Sequence, residues 1–238
     1  MALLALLRHG QSRWNLENRF TGWVDVPLTE QGEAEARKAG ELFYEQQMKF
    51  AHAYSSVLQR AVRTAEIALE RSGQGDLRIV QDWRLNERHY GGLTGLNKAE
   101  TAERHGEEQV TVWRRSYDTP PPELAPGGEY DFAADPRYAG AQVPSTESLK
   151  TTLDRVLPYW TEEIAPRLAW DQTILVAAHG NSLRAIVKHL FDVPESEIVH
   201  LEIPTGNPLV IDLDNKLKPT AARYLDETRG QALPAISA

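Results

Sequence analysis

The chain has 238 residues, 41% of them hydrophobic and 25% charged, with a formal net charge of −8 and no cysteine. That length can bury one substantial core, and the negative balance argues against a broad nucleic-acid or anionic-membrane footprint while leaving room for a local basic pocket. Without cysteine there is no disulfide, no thiolate nucleophile and no Cys-ligated zinc or iron–sulfur site.

The opening MALLALL has the apolar look of a signal peptide, but no basic region precedes it and it runs straight into Arg8-His9. No apolar run approaches the roughly 20 residues of a bilayer-spanning helix, so a cytoplasmic protein is expected. Residues 2–7 read instead as a strand buried on both faces of a parallel sheet. Residues 24–29 are turn-like, and Thr29 suits the N-cap of a helix to about 47 with Ala36, Ala39 and Phe43 as its inward stripe. A short strand over 51–56 leads into a helix in which Leu58, Ala61, Val62, Ala65 and Leu69 keep helical spacing. The turn at 73–75 ends it, and 77–80 form a further strand.

Residues 97–117 are charged and helical until TPPPELAPGG (119–128) stops them. From there to Pro144 the Pro, Gly and Ala content predicts an excursion outside the core. Helix resumes near Thr146, with Leu149, Leu153, Val156 and Trp160 on one face and a kink at Pro158. QTILVAAHG is a strand entering a loop, and Leu183, Ile186, Val187 and Leu190 mark the helix after it. Residues 207–213 are one more strand, and the last dozen residues form a polar tail. Strands alternating with helices predict an α/β fold in three layers, a mostly parallel sheet with helices on both faces. One domain is expected over 1–225, with a lid or insertion at about 97–145, followed by the tail at 226–238.

Two stretches echo each other: LLRHGQS at 6–12 and AAHGNS at 177–182. Ligands of such sheets bind beyond the carboxyl ends of the strands, which gives His9 and His179 a common crevice. By itself His179 reads as structural; its duplicate at His9, beside Arg8, reverses that. Arg8 follows a buried strand, and a charge there needs a partner, which a phosphate or carboxylate would supply. Arg60 opens a helix, where free N–H groups also favour an anion. Arg88, Lys98, Arg114 and Arg115 add further cations, although charge runs are usually solvated helix faces. A histidine beside such cations can attack phosphorus through a neutral ring nitrogen, the other N–H being held. Positioned cations then carry most of the catalysis, and a metal is not required. Glu87, in LNERHYGG, is the candidate proton shuttle, because a neighbouring phosphate favours its proton-carrying form.

LLRHGQS resembles the RHG motif of the histidine phosphatase superfamily. The longer strings RHGQSRWNLENRFTGWVDVPLTEQG, LNERHYGGLTGLNKAETAERHGEEQV, WRR, AAHGNSLRA and IPTGNPL resemble its cofactor-dependent phosphoglycerate mutases, from about Leu3 to Tyr224. The resemblance implies interconversion of 3-phosphoglycerate and 2-phosphoglycerate, primed by 2,3-bisphosphoglycerate. It makes His9 the phosphorylated nucleophile, Glu87 the proton donor and acceptor, and His179 a stabiliser of the transferring group. Arg8, Arg60, Asn15, Gly180 and Asn181 would hold the phosphoryl group. Thr21, Gly22, Arg88, Tyr90, Lys98, Arg114 and Arg115 would hold the rest of the substrate, and the tail would fold over the site. Small phosphoglycerates are the expected partners, with no nucleic acid or membrane; relatives commonly associate through surface helices and strands, and the sequence leaves a homo-oligomer open. Gln11 and Asn207 depart from the family pattern, and 123–143 and the tail match it less well.

His52, His105, His189 and His200 show no partner pattern. There is no HExxH, P-loop or GxGxxG string. The competing readings are a phosphatase that lets water accept the phosphoryl group, a bisphosphoglycerate synthase, and a non-catalytic phospho-ligand module. The arginine pair and lid-like 97–117 segment oppose the first. The last would be expected to have lost His9, Glu87 or His179.

Overall fold

The computed structural model describes residues 2–168 and 172–236. Its centre is β1 (Ala2–Arg8), whose alternate side chains point to opposite faces of the sheet. Leu4 and Leu6 join one apolar core and Ala5 and Leu7 another. A strand buried on both sides needs apolar residues at every position, which is why this run shows no alternation.

The chain then forms α1 (Arg13–Leu16), α2 (Glu30–Glu45), β2 (Phe50–Ser55), α3 (Gln59–Arg71) and β3 (Ile79–Gln81). Thr29 caps α2 by accepting the Gly32 N–H, and Ala36, Ala39 and Phe43 are fully buried. Short 3₁₀ turns at Trp83–Leu85 and Gly91–Leu93 precede α4 (Lys98–His105) and α5 (Glu107–Arg115). Gly106, at φ +86°, divides these two helices where one charged helix was expected. After them come α6 (Leu149–Tyr159), β4 (Thr173–Ala178), α7 (Gly180–Phe191), α8 (Glu195–Ile198), β5 (Leu209–Leu213) and β6 (Pro219–Tyr224).

The six strands lie in the order β3-β2-β4-β1-β5-β6. β3, β2, β4 and β1 are parallel, and β5 runs antiparallel to both of its neighbours. The expected layering holds. α2 and α3 cover one face, and α6 and α7 cover the other.

Three expectations are corrected. β3 lies at 79–81, not 77–80, a three-residue edge strand with little burial to mark it. β6 was missed because it is an edge strand that opens on a proline and exposes half of its residues. The excursion after 128 does reach the core: Tyr138 is buried, its ring 4.7 Å from that of Trp23 and its hydroxyl bonded by Asn86 Nδ2 at 3.1 Å. Pro158, expected as a kink, sits in the last turn of α6, and just after it the coil loosens into a π-helical turn at Trp160–Ile164. Among the described residues no helix is long and apolar enough to cross a membrane.

Candidate active site

β1 and β4 are hydrogen-bonded neighbours with Arg8 opposite Ala178, so the residues that follow them meet. The His9 N–H donates to the Ala178 carbonyl at 3.0 Å, and the His9 and His179 rings stand edge-on with centroids 5.0 Å apart. His9 Nδ1 lies 2.7 Å from the Gly10 carbonyl, an acceptor, so Nδ1 carries the ring proton and Nε2 keeps its lone pair. His179 Nε2 shares a hydrogen bond with Ser56 Oγ at 2.8 Å, and Ser56 follows the end of β2. Three adjacent parallel strands thus deliver one group each to the same crevice. Burial holds both imidazoles well below the ordinary histidine range, and the charges of Arg60 and Arg8 lower them further. Both rings are therefore neutral at neutral pH.

Beyond them opens a cavity of about 220 Å³. Of the residues expected at the site, Arg8, His9, Asn15, Thr21, Arg60, Glu87, Tyr90, Lys98, Arg114, Arg115, Gly180 and Asn181 line it. His179, Gly22 and Arg88 stand behind that wall. The Gly22 carbonyl accepts Arg60 Nη2 at 2.8 Å and the Val24 carbonyl accepts Nη1 at 2.8 Å, so the turn holds the guanidinium. Arg88 is fully buried beneath Tyr90, 4.8 Å from its ring, with Nη2 on the Arg114 carbonyl at 2.9 Å.

The electrostatics favour an anion. Arg8 gives Nη1 to the Ile203 carbonyl at 2.8 Å, and neither Arg8 nor Arg60 has a carboxylate partner among the described residues. The buried Nε atoms of both arginines have no hydrogen-bond partner among the described residues. Burial pushes Arg60 down to about 10 despite the opposing pull of Glu87 and Asp25, and it lowers Lys98 in the same way. Desolvated cations that are bonded only to carbonyls create a strongly positive concavity, one that suits a multiply charged phosphate.

Glu87 is held by backbone contacts. Its Oε1 accepts the Arg88 N–H at 2.7 Å and the Asn181 N–H at 3.1 Å. Its carbonyl accepts Trp23 Nε1 at 2.6 Å. Behind it the buried pair Arg155–Glu147, 2.7 Å apart, braces the segment from both sides: Arg155 donates to the Arg84 carbonyl at 2.8 Å, and Glu147 accepts the His89 N–H at 2.8 Å. The sequence reading missed this brace, along with Ser56, Arg19, Arg184 and Glu202. Arg184 was within reach of it, since it follows Gly180 and Asn181 by one helical turn and lies on their face of α7. Glu202 carried no signal, because the segment after α8 has no period.

The tail expected to cover the site leaves its edge. Gln231 lines a groove with Arg115 and Glu202, whereas Ile236 lines another with Leu190 and Phe191. Those two residues end the helix whose first turn carries Gly180, roughly 15 Å along its axis. Residues 237–238 lie outside the described residues. Among the described residues no group of three or more His, Cys, Asp or Glu side chains could hold a metal ion.

The profile of the histidine phosphatase superfamily (branch 1) matches residues 4–223. A 2,3-bisphosphoglycerate-dependent phosphoglycerate mutase of Caulobacter sp. (strain K31) is 70% identical over 99% of this chain and 100% of its own. A protein of the same name from Hyphomonas neptunium is 62% identical over the same shares. Among solved structures, a mycobacterial glucosyl-3-phosphoglycerate phosphatase in complex with VO3 aligns at a TM-score of 0.71. It is 24% identical, with 94% of this chain and 97% of that one covered, a likeness of fold alone.

Proposed function

The chain belongs to the histidine phosphatase superfamily (branch 1), and from that premise we propose that it interconverts 3-phosphoglycerate and 2-phosphoglycerate through a phosphohistidine at His9. The observation that carries the reading is the neutral His9, its Nδ1 proton held by Gly10, in a cavity where Arg8 and Arg60 have no carboxylate partner among the described residues. The mutase name of the relatives that match end to end supports the choice of substrate.

Bound 2,3-bisphosphoglycerate supplies the phosphoryl group that primes the site, and the orphaned Nε atoms of Arg8 and Arg60 fit a ligand of that charge. His9 Nε2 forms the bond to phosphorus as the P–O bond of the ester breaks, and Glu87 gives its proton to the departing oxygen. In the return step Glu87 takes the proton of the attacking hydroxyl, and the N–P bond at His9 breaks. Arg8, Arg60 and His179 stabilise the charge spread over the phosphoryl oxygens. Asn15, Gly180 and Asn181 lie beside that group. Thr21, Tyr90, Lys98, Arg114 and Arg115 hold the remainder of the acid, while Gly22 and Arg88 fix Arg60 and Tyr90 from behind.

The test is conversion of 3-phosphoglycerate in excess EDTA, with and without trace 2,3-bisphosphoglycerate. Metal-independent isomerisation that rises with the bisphosphate is expected. Steady release of inorganic phosphate without isomerisation would replace the mutase by a phosphatase, and silence in both assays would leave only ligand binding.

A further inference from the structure

Two carboxylates line the cavity, and the proposed reaction uses only Glu87. The other, Glu202, projects from the segment between α8 and β5 and is paired with Arg115 at the end of α5. A carboxylate inside an anion pocket opposes the ligand's charge, so its presence needs a reason. Its backbone is fixed: Leu201 and Ile203 are buried, the Glu202 carbonyl accepts Tyr224 Oη at 3.3 Å, and the Ile203 carbonyl accepts Arg8. The side chain is 49% exposed and that of Arg115 is 33% exposed. Glu202 can thus swing into solvent without any movement of the chain that carries it.

We propose that Glu202 is a displaceable counter-ion: it occupies Arg115 in the free protein, and the anionic substrate must take its place. This rests on the reading of the cavity as the phosphoglycerate site. The counter-ion caps the affinity of a pocket that also contains Arg8, Arg60, Arg114 and Arg184, and it does so most strongly against the ligand with the greatest charge. A site visited by both a monophosphate and a bisphosphate needs such a brake, since otherwise the bisphosphate would be retained and turnover would slow. An exposed ion pair is weak, so the expected effect is modest, on the order of threefold to fivefold in affinity.

The experiment is calorimetric titration of the full-length protein and of Glu202→Gln with pyrophosphate, 3-phosphoglycerate and 2,3-bisphosphoglycerate. Glu202→Gln should bind all three about threefold to fivefold more tightly, most of all the bisphosphate, and the gain should shrink at high salt. KM should fall while kcat stays level or drops. Glu202→Ala, which also loses the hydrogen bond to Arg115, should show the same direction. Unchanged or weaker binding in both variants would overturn the proposal and leave Glu202 as a strut for α5. Pyrophosphate binding needs no turnover, so a wild-type protein that binds it but does not isomerise phosphoglycerate would sink the mutase reading and leave this comparison standing.

Discussion

The two His-Gly corners share a string but are built differently. At the first, β1 ends and the chain turns sharply: a Cβ on Gly10 would lie 2.1 Å from the Gly32 carbonyl oxygen, so only glycine lets this corner pack on α2. At the second, β4 passes directly into the first turn of α7, and a Cβ on Gly180 would meet nothing nearer than the Arg8 guanidinium at 3.5 Å. His9 satisfies its ring proton on its own strand end, whereas His179 leans on Ser56 from a neighbouring strand. The first corner is self-contained and lines the cavity; the second is buried behind it and is held by its neighbour. Identical sequence strings can thus supply an attacking group and a supporting one.

The strongest way to break this comparison is to remove each ring. His9→Ala should abolish turnover, by roughly 10⁴-fold or more, with the fold intact by circular dichroism. His179→Ala should cost about 10²- to 10³-fold and still allow slow phosphorylation of His9, visible as acid-labile phosphate on the protein. Equal losses, or a His9→Ala protein that retains full activity, would end the division of labour.

The glycines give the next largest effect. Gly10→Ala should destabilise by about 1–3 kcal/mol or more, because the obstructing atom is backbone, whereas Gly180→Ala should leave the melting temperature nearly unchanged. Comparable melting temperatures for the two would show that the first corner can relax.

The smallest effect sharpens what the corners share. Both rings are neutral when folded and take a proton near pH 6.5 when unfolded. Stability is therefore complete above that pH and falls below it, by about 1.4 kcal/mol per pH unit for each ring that stays neutral in the fold. His89, lowered to about 4 mainly by burial, adds the same sign down to that pH. Melting temperatures taken from pH 7.5 to 5 should drop, and more steeply than in His179→Asn; a flat curve would mean that the folded protein accepts those protons.

Much of the candidate site was legible from local strings. RHG and AHG at the ends of apolar runs located both histidines, because a buried strand and its ending are written in consecutive residues; Glu87, which follows a 3₁₀ turn, was located by its NERHYGG string alone. Which arginine reaches the cavity was less legible: Arg8, Arg60, Arg114 and Arg115 line it and Arg88 does not, although Arg88 stands in a recognisable motif. Tyr138 shows the same limit, since a segment poor in periodic apolar residues still delivers one ring to Trp23.

By itself the sequence determined the α/β class, the two His-Gly corners and the family, because periodicity, capping and motif strings are properties of short stretches of chain. Only the tertiary structure decided that β1 and β4 are neighbours, that Ser56 holds His179 and that Glu202 faces Arg115. Those relations join residues between 87 and 170 or so positions apart, and packing of the two cores against the sheet, not local preference, brings them together.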